Sequence, residues 1–176
     1  MAEKKAVLIL NAAFDGLKKA ALLPNASCED LAGMAEKLGA VKTDAEGIAA
    51  ALDTQEPVVF VVSEGDAALA AALEAADRRT LLVVTGAAGV AFQGLAINAK
   101  IGTVDRAVNA QDILVTIATI ADLPICSCCT GGIIYQVMKN PNLKLDEIKK
   151  LKEALARMES VIQRDNREPW DKHDCA

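Results

Sequence analysis

The sequence predicts a single α/β domain in which a mainly parallel sheet is flanked by helices. Short apolar runs, typical of buried strands, alternate along the chain with segments that have helical periodicity. Strand, helix and strand in succession favour right-handed crossover connections and parallel pairing. The length of 176 residues is sufficient for one domain with its own hydrophobic core. We expect residues 1–165 to form this domain and residues 166–176 to form a polar C-terminal tail.

Four apolar runs predict strands. They cover residues 6–10, 57–62, 80–84 and 90–97. The first run has no polar residue, which is typical of a strand that is buried on both faces of a sheet.

Periodicity and capping residues predict seven helices. The predicted helices cover residues 17–23, 28–38, 43–52, 66–77, 110–121, 133–139 and 146–164. Thr43 and Glu46 have the spacing of a capping box, as do Asn109 and Asp112 at the start of a later helix. Pro24 and Gly39 are expected to end the first two helices.

Composition excludes several classes of function. The net charge of −5 argues against a surface for nucleic acid or anionic membranes, which requires clustered Lys and Arg. The first apolar run is too short for a signal core or a membrane span, so we expect a cytoplasmic protein. The one histidine, His173, lies in the polar tail, which excludes a histidine-based zinc site or catalytic triad in the body of the domain.

The order and spacing of several short motifs resemble the alkaline phosphatase superfamily, which includes cofactor-independent phosphoglycerate mutases, phosphopentomutases and sulfatases. Residues 66–85 resemble the helix and strand that precede the family's metal-binding turn. Residues 105–118, the Ala-Asp-Leu-Pro sequence at 121–124 and the Gly-Ile-Ile-Tyr sequence at 132–135 resemble its closing segment. The resemblance implies an alkaline phosphatase-like core that is shorter than that of full-length members.

The positions that carry the family's chemistry have lost their ligand groups. The turn Thr85-Gly86-Ala87-Ala88-Gly89 has two alanines where the family has an Asp and a His that bind metal. Asn11 occupies the place of a further Asp ligand after the first strand, and the body of the chain has no histidine to replace either group. The resemblance therefore implies a former active site at Asn11, Thr43, Thr85, Ala87 and Ala88.

Each of these residues also has a simpler interpretation. Thr43 matches the family's nucleophile position, but a capping role explains it fully. A role in a turn explains Asn11 better than a role in ligand binding. We therefore expect a catalytically degenerate protein that acts in binding, sensing or assembly, with no cofactor, and with a small molecule, another protein or a second copy of the chain as its partner.

Two alternatives remain open from the residues alone. One is an active metal-dependent hydrolase or mutase that binds Mg²⁺ or Mn²⁺ through displaced carboxylates, with candidate ligands Asp15, Asp44, Asp105 and Asp112. The other is a thiol redox or soft-metal module in the loop that contains Cys126, Cys128 and Cys129. A four-cysteine site would require Cys28 and Cys175, which are far from this loop in sequence.

The last predicted helix has an apolar stripe of six residues. Core packing explains this stripe most simply, and a surface for a partner is the second interpretation, since the only Trp of the chain lies in the tail that follows. The stripe contains Leu145, Ile148, Leu151, Leu155, Met158 and Ile162.

Overall fold

A six-stranded mixed sheet forms the centre of the first of two units, Met1–Lys139 and Asn140–Ala176, into which the chain divides. The computed structural model describes residues 3–125 and 129–165. The strands are β1 (Lys4–Leu10), β2 (Ala21–Leu23), β3 (Val41–Lys42), β4 (Val58–Glu64), β5 (Thr80–Gly86) and β6 (Gly89–Gly94). They lie across the sheet in the order β2-β6-β5-β1-β4-β3.

Strand directions partly match the parallel sheet that the sequence predicts. β1 pairs in parallel with β4 and β5, and β3 pairs in parallel with β4. β6 is antiparallel to both β5 and β2. Among the six described strands, β6 therefore runs against the direction of the other five. The predicted α/β class with flanking helices is confirmed, and the sheet, which the sequence predicts to be mainly parallel, is mixed, with three parallel and two antiparallel strand pairs among the described strands.

Helices cover both faces of this sheet, so that β1 is buried on both sides. The helices of the first unit are α1 (Leu31–Lys37), α2 (Ile48–Leu52), α3 (Asp66–Ala75) and α4 (Ala110–Ala121). Residues of α1 and α4 share one core with alternate strand residues such as Leu8, Val83 and Phe92. Residues of α2 and α3 share a second core with Val7, Ile9 and Val84. The continuous apolar run in β1 follows from this burial on two faces.

The helix predicted at 110–121 is confirmed, including its cap. The Asn109 side chain accepts a hydrogen bond from the Asp112 N–H at 3.0 Å, and the Asp112 carboxylate accepts one from the Asn109 N–H at 3.1 Å. This reciprocal pair satisfies two backbone donors at the helix start. The helix ends at Asp122, whose φ of 59° lies in the left-handed region.

The helix predicted at 17–23 is wrong. A 3-10 turn covers Phe14–Gly16, and β2 then extends over Ala21–Leu23. Ala21 is fully buried and pairs with Phe92 of β6. Pairing with a strand that is distant in sequence overrides the local helical pattern.

The capping box predicted at Thr43 and Glu46 is also wrong. The Thr43 N–H donates to the Val62 carbonyl at 3.0 Å, which extends the pairing of β3 with β4 by one residue. The Asp44 carboxylate accepts the Gly47 N–H instead, and α2 begins only at Ile48. Because Gly47 is at the N-cap position of α2, Thr43 lies too far before the helix for its hydroxyl to cap it.

Three other helices are shorter than predicted, and the helix expected at 66–77 ends two residues early, at Ala75. The helix expected at 28–38 covers Leu31–Lys37 and begins after Asp30, whose φ of 56° breaks the helical conformation. The helix expected at 133–139 is reduced to a 3-10 turn at Tyr135–Val137.

The second unit contains one long helix, α5 (Leu143–Asp165), close to the helix predicted at 146–164. No helix in the described part of the chain is both long and apolar enough to cross a membrane. The tail predicted at 166–176 lies outside the described residues, so the domain boundary expected there stays a prediction.

Candidate functional site at the carboxyl edge of the sheet

Three strands end side by side at one edge of the sheet, and each is followed by a polar or glycine-rich segment. The register pairs Leu10 with Glu64 and Ile9 with Val84, so that β1, β4 and β5 end together. In α/β sheets with parallel strands, ligands bind in the crevice outside this edge. The residues that follow the three strands therefore define the candidate site.

Asn11 closes the turn that follows β1. Its φ of 52° lies in the left-handed region, which Asn adopts more readily than most residues. The Asn11 Nδ2 donates to the Glu64 carboxylate at 2.6 Å. The neutral amide of Asn11 thus donates to the carboxylate of Glu64. An Asp at this position would instead place a second negative charge beside Glu64.

The next residues of this loop are tied to the start of α3. The Asp66 carboxylate accepts the Ala13 N–H at 2.8 Å. The Leu10 carbonyl accepts the Gly65 N–H at 2.8 Å. The carboxylates of Glu64 and Asp66 therefore both have donors from the loop after β1.

Thr85 and the two alanines belong to a β-hairpin that joins β5 to β6. Gly86 pairs with Gly89 across the hairpin, and Ala87 and Ala88 form its exposed tip. Gly89 has a φ of 107°, whereas both alanines have negative φ values, an arrangement typical of a type I turn followed by a bulge.

Close backbone contacts explain both glycines of this hairpin. A Cβ on Gly86 would lie 2.3 Å from the Ala12 carbonyl oxygen, and the Ala12 N–H donates to the Thr85 carbonyl at 3.0 Å. A Cβ on Gly89 would lie 2.2 Å from the Leu23 carbonyl oxygen. Real Cβ atoms do not reach such distances, so the sequence requires glycine here for packing.

The predicted former active-site residues come together only in part. Asn11 follows β1 and Thr85 lies on the neighbouring strand β5, where its carbonyl accepts the Ala12 N–H and its side chain is buried. Thr43 follows β3, which is separated from β1 by β4. Ala87 and Ala88 extend beyond the edge at the hairpin tip.

The candidate metal ligands form no cluster in the part of the chain that the structure describes. Within residues 3–125 and 129–165, no group of three or more His, Cys, Asp or Glu side chains is arranged to hold a metal ion. Asp15 lies in the 3-10 turn beside a hollow of about 220 Å³ that Asp66 also lines. The carboxylates of Asp44 and Asp112 accept backbone N–H groups, from Gly47 for the former and from Asn109 and Gly132 for the latter.

Only some of the candidate thiols can be placed. Cys126 and Cys128 lie outside the described residues, and Cys129 is half-buried. Cys28 packs against the core on the α1 and α4 face, and burial raises the pKa of its thiol. A raised pKa keeps this thiol protonated at neutral pH, which makes it a poor nucleophile and metal ligand.

Sequence reasoning missed Glu64, the residue that contacts Asn11 directly. A usable signal exists, because Ser63, Glu64 and Asp66 form a polar segment directly after the apolar run of β4. The same reasoning that singled out the residues after β1 and β5 would have identified Glu64.

Comparison of the chain with protein-family models, with curated proteins and with solved structures finds no match in any of the three. The resemblance to the alkaline phosphatase superfamily therefore remains a prediction from the sequence motifs.

Proposed function

We propose that this protein is a non-catalytic α/β domain, a degenerate relative of the alkaline phosphatase superfamily, that acts as a binding and assembly component. The proposal rests on the packing and the side chains of the hairpin at the carboxyl edge of the sheet. There, the glycines of the hairpin pack directly against the backbone at Ala12 and Leu23, and the exposed tip between them holds only the methyl groups of Ala87 and Ala88.

Charge at this edge supports the same proposal. Binding of two divalent cations requires several carboxylate or imidazole groups that converge on the ions. Glu64 and Asp66 instead accept hydrogen bonds from Asn11 and the Ala13 N–H. One oxygen of each carboxylate is thus occupied by a donor from the loop after β1.

A turnover assay tests the proposal. The full chain is incubated with p-nitrophenyl phosphate, bis-p-nitrophenyl phosphate and p-nitrophenyl sulfate, each with Mg²⁺, Mn²⁺ or Zn²⁺. We expect no hydrolysis above the rate without protein. Metal-dependent turnover that Asn11→Ala or Glu64→Gln abolishes would contradict the proposal, and Glu56→Gln, which changes an exposed carboxylate elsewhere in the domain, is the matched control.

A further inference from the structure

The apolar stripe of α5 is exposed along the described helix. Leu151 is 69% exposed and Met158 is 61% exposed, and Leu155 and Ile162 are each more than half exposed. An exposed row of large apolar side chains is costly in water and marks an interaction surface.

The spacing of this stripe is that of a two-stranded coiled coil. Ile148, Leu151, Leu155, Met158 and Ile162 are separated alternately by three and four residues. This repeat corresponds to positions a and d of the heptad, with Ile148 at a position a. The stripe is narrower than the apolar face of a helix that packs on a sheet.

In the central turns of α5, the residues on one side of the stripe are charged and the residues on its other side are apolar. Lys152 and Glu159, at the e positions, have no residue of opposite charge three or four positions away in the helix. Ala154 and Val161, at the g positions, form the apolar flank, and Val161 is 45% exposed.

We propose that α5 pairs with α5 of a second copy of this chain in an antiparallel, two-stranded coiled coil. In antiparallel pairs e positions face e positions and g positions face g positions. With Leu155 layered against Met158 of the partner subunit, Lys152 lies opposite Glu159 of the partner subunit. The two-fold symmetry forms this ion pair twice, as in an isologous dimer.

The other flank of the same arrangement is also complementary. Ala154 meets Val161 of the partner subunit, so that the apolar g residues are covered along with the stripe. Shifting the pair by one heptad would place Lys152 opposite Lys152 of the partner subunit, and like charges oppose that register. Charge and apolar pattern thus select one orientation and one register.

A parallel pair and a membrane surface fit the helix less well. In a parallel pair Lys152 would face Glu147, which already pairs with Lys144 at 3.4 Å, and Glu159 would face an alanine. A helix that lies on an anionic membrane has a basic polar face, whereas the polar residues of α5 include both acidic and basic side chains along its length.

The pairing of α5 would make a second copy of the chain the partner in the proposed assembly role, and it rests on that role for its biological meaning. Experiment can nevertheless contradict the pairing and the non-catalytic function separately. Hydrolytic turnover would contradict the non-catalytic function and leave the mass of the protein unchanged. A monomer would contradict the pairing of α5 and leave the turnover assay unchanged.

Sedimentation equilibrium of the full chain under reducing conditions tests the pairing. We expect a dimer that dissociates on dilution. Glu159→Lys and Lys152→Glu should each raise the dimer Kd about tenfold, because each replaces two attractive pairs with two repulsive ones. The double variant K152E/E159K re-forms both pairs and should return the Kd to within about twofold of the original.

A matched control and two opposing outcomes complete the design. Arg164→Glu makes the same charge change as Lys152→Glu on the outer face of α5, with no charged residue three or four positions before it, and should leave the Kd unchanged, with circular dichroism confirming the helix in every variant. A monomer at all concentrations would overturn the proposal. An unaffected Kd in Glu159→Lys, together with no recovery in the double variant, would indicate parallel pairing and overturn the antiparallel assignment.

Discussion

The hairpin at the carboxyl edge of the sheet and helix α5 both expose small or apolar side chains at the surface, but these side chains differ in their surroundings. At the hairpin, the backbones of Ala12 and Leu23 contact Gly86 and Gly89 so closely that no other residue type fits. Along α5, the large side chains are exposed in a regular heptad pattern. Small residues that are packed from both sides have a structural role, whereas large apolar residues left in water indicate a missing partner.

The largest expected effect is on the hairpin. Gly89→Ala should lower the free energy of unfolding by about 3 kcal/mol or more, because the new Cβ meets the Leu23 carbonyl and Gly89 has a positive φ. Chemical denaturation measures the change. Gly39→Ala is the matched control, since Gly39 has a φ of 95° with nothing within 4 Å of its Cβ position, and should cost only about 1 kcal/mol. Equal losses in both variants would show that the hairpin is not tightly packed.

A charge at the centre of the α5 stripe should have the next largest effect. Leu155→Glu places a carboxylate in the central layer of the proposed coiled coil and should raise the dimer Kd about a hundredfold, equivalent to about 2.7 kcal/mol. Sedimentation equilibrium measures this change. Ser160→Glu adds the same charge on the outer face and should leave the Kd unchanged. Equal Kd values for the two variants would show that the stripe is not part of the dimer interface.

The amino end of the sheet provides a contrast, because a charged pair is partly buried there. Lys5 is 8% exposed, and its Nζ donates to Asp77 at 3.0 Å. The Arg79 N–H and then Lys5 and Thr80 hold the pKa of Asp77 below its usual value, against the opposing effect of desolvation. Asp77→Asn should cost about 1 kcal/mol at pH 7, since a nearly buried ammonium loses its counter-charge while the solvent around Asp77 weakens the effect.

The pH dependence of this contribution has a defined sign. The folded-state pKa of Asp77 is lowered, so the contribution is complete above the unfolded pKa of about 4 and is lost as the pH falls through the folded pKa. Stability curves of the original protein and of Asp77→Asn should therefore converge below pH 4. A difference that stays constant from pH 7 to pH 3 would show that the charge of Asp77 is not its source.

The smallest expected effect concerns Asn11. Asn11→Asp replaces a hydrogen bond to Glu64 with repulsion between two exposed carboxylates and should cost about 0.5–1 kcal/mol. The double variant N11D/E64Q restores a donor opposite an acceptor and should recover most of the loss. Thermal unfolding measures both changes. If Mg²⁺ stabilised Asn11→Asp well beyond the original protein, the edge would retain a competent metal site.

The parts of this fold that depend on local interactions could be predicted from the sequence. The parts that depend on pairing between residues far apart in the chain could not. The cap at Asn109 is correct because its partner lies three residues away. The helix predicted at 17–23 is wrong because its residues pair with β6, about 70 positions later. The cap at Thr43 is wrong because Thr43 continues the pairing of β3 with the distant strand β4 and α2 begins only at Ile48.

The candidate site shows the same division. The position of Asn11 at the end of a strand could be predicted from an apolar run alone. Its contact with Glu64 depends on the register between β1 and β4, which no local pattern determines. The glycines at 86 and 89 could be noticed in the sequence, but the carbonyl groups that require them belong to distant segments.

Hydrogen exchange of the full chain at several protein concentrations tests the contrast between the two regions most directly. We predict that amides of β5 and β6 exchange at rates independent of concentration, because their protection comes from packing within one chain. Amides of α5 should become more protected as the concentration rises, because their protection comes from a second copy. Exchange in α5 that is independent of concentration up to the millimolar range would contradict the account.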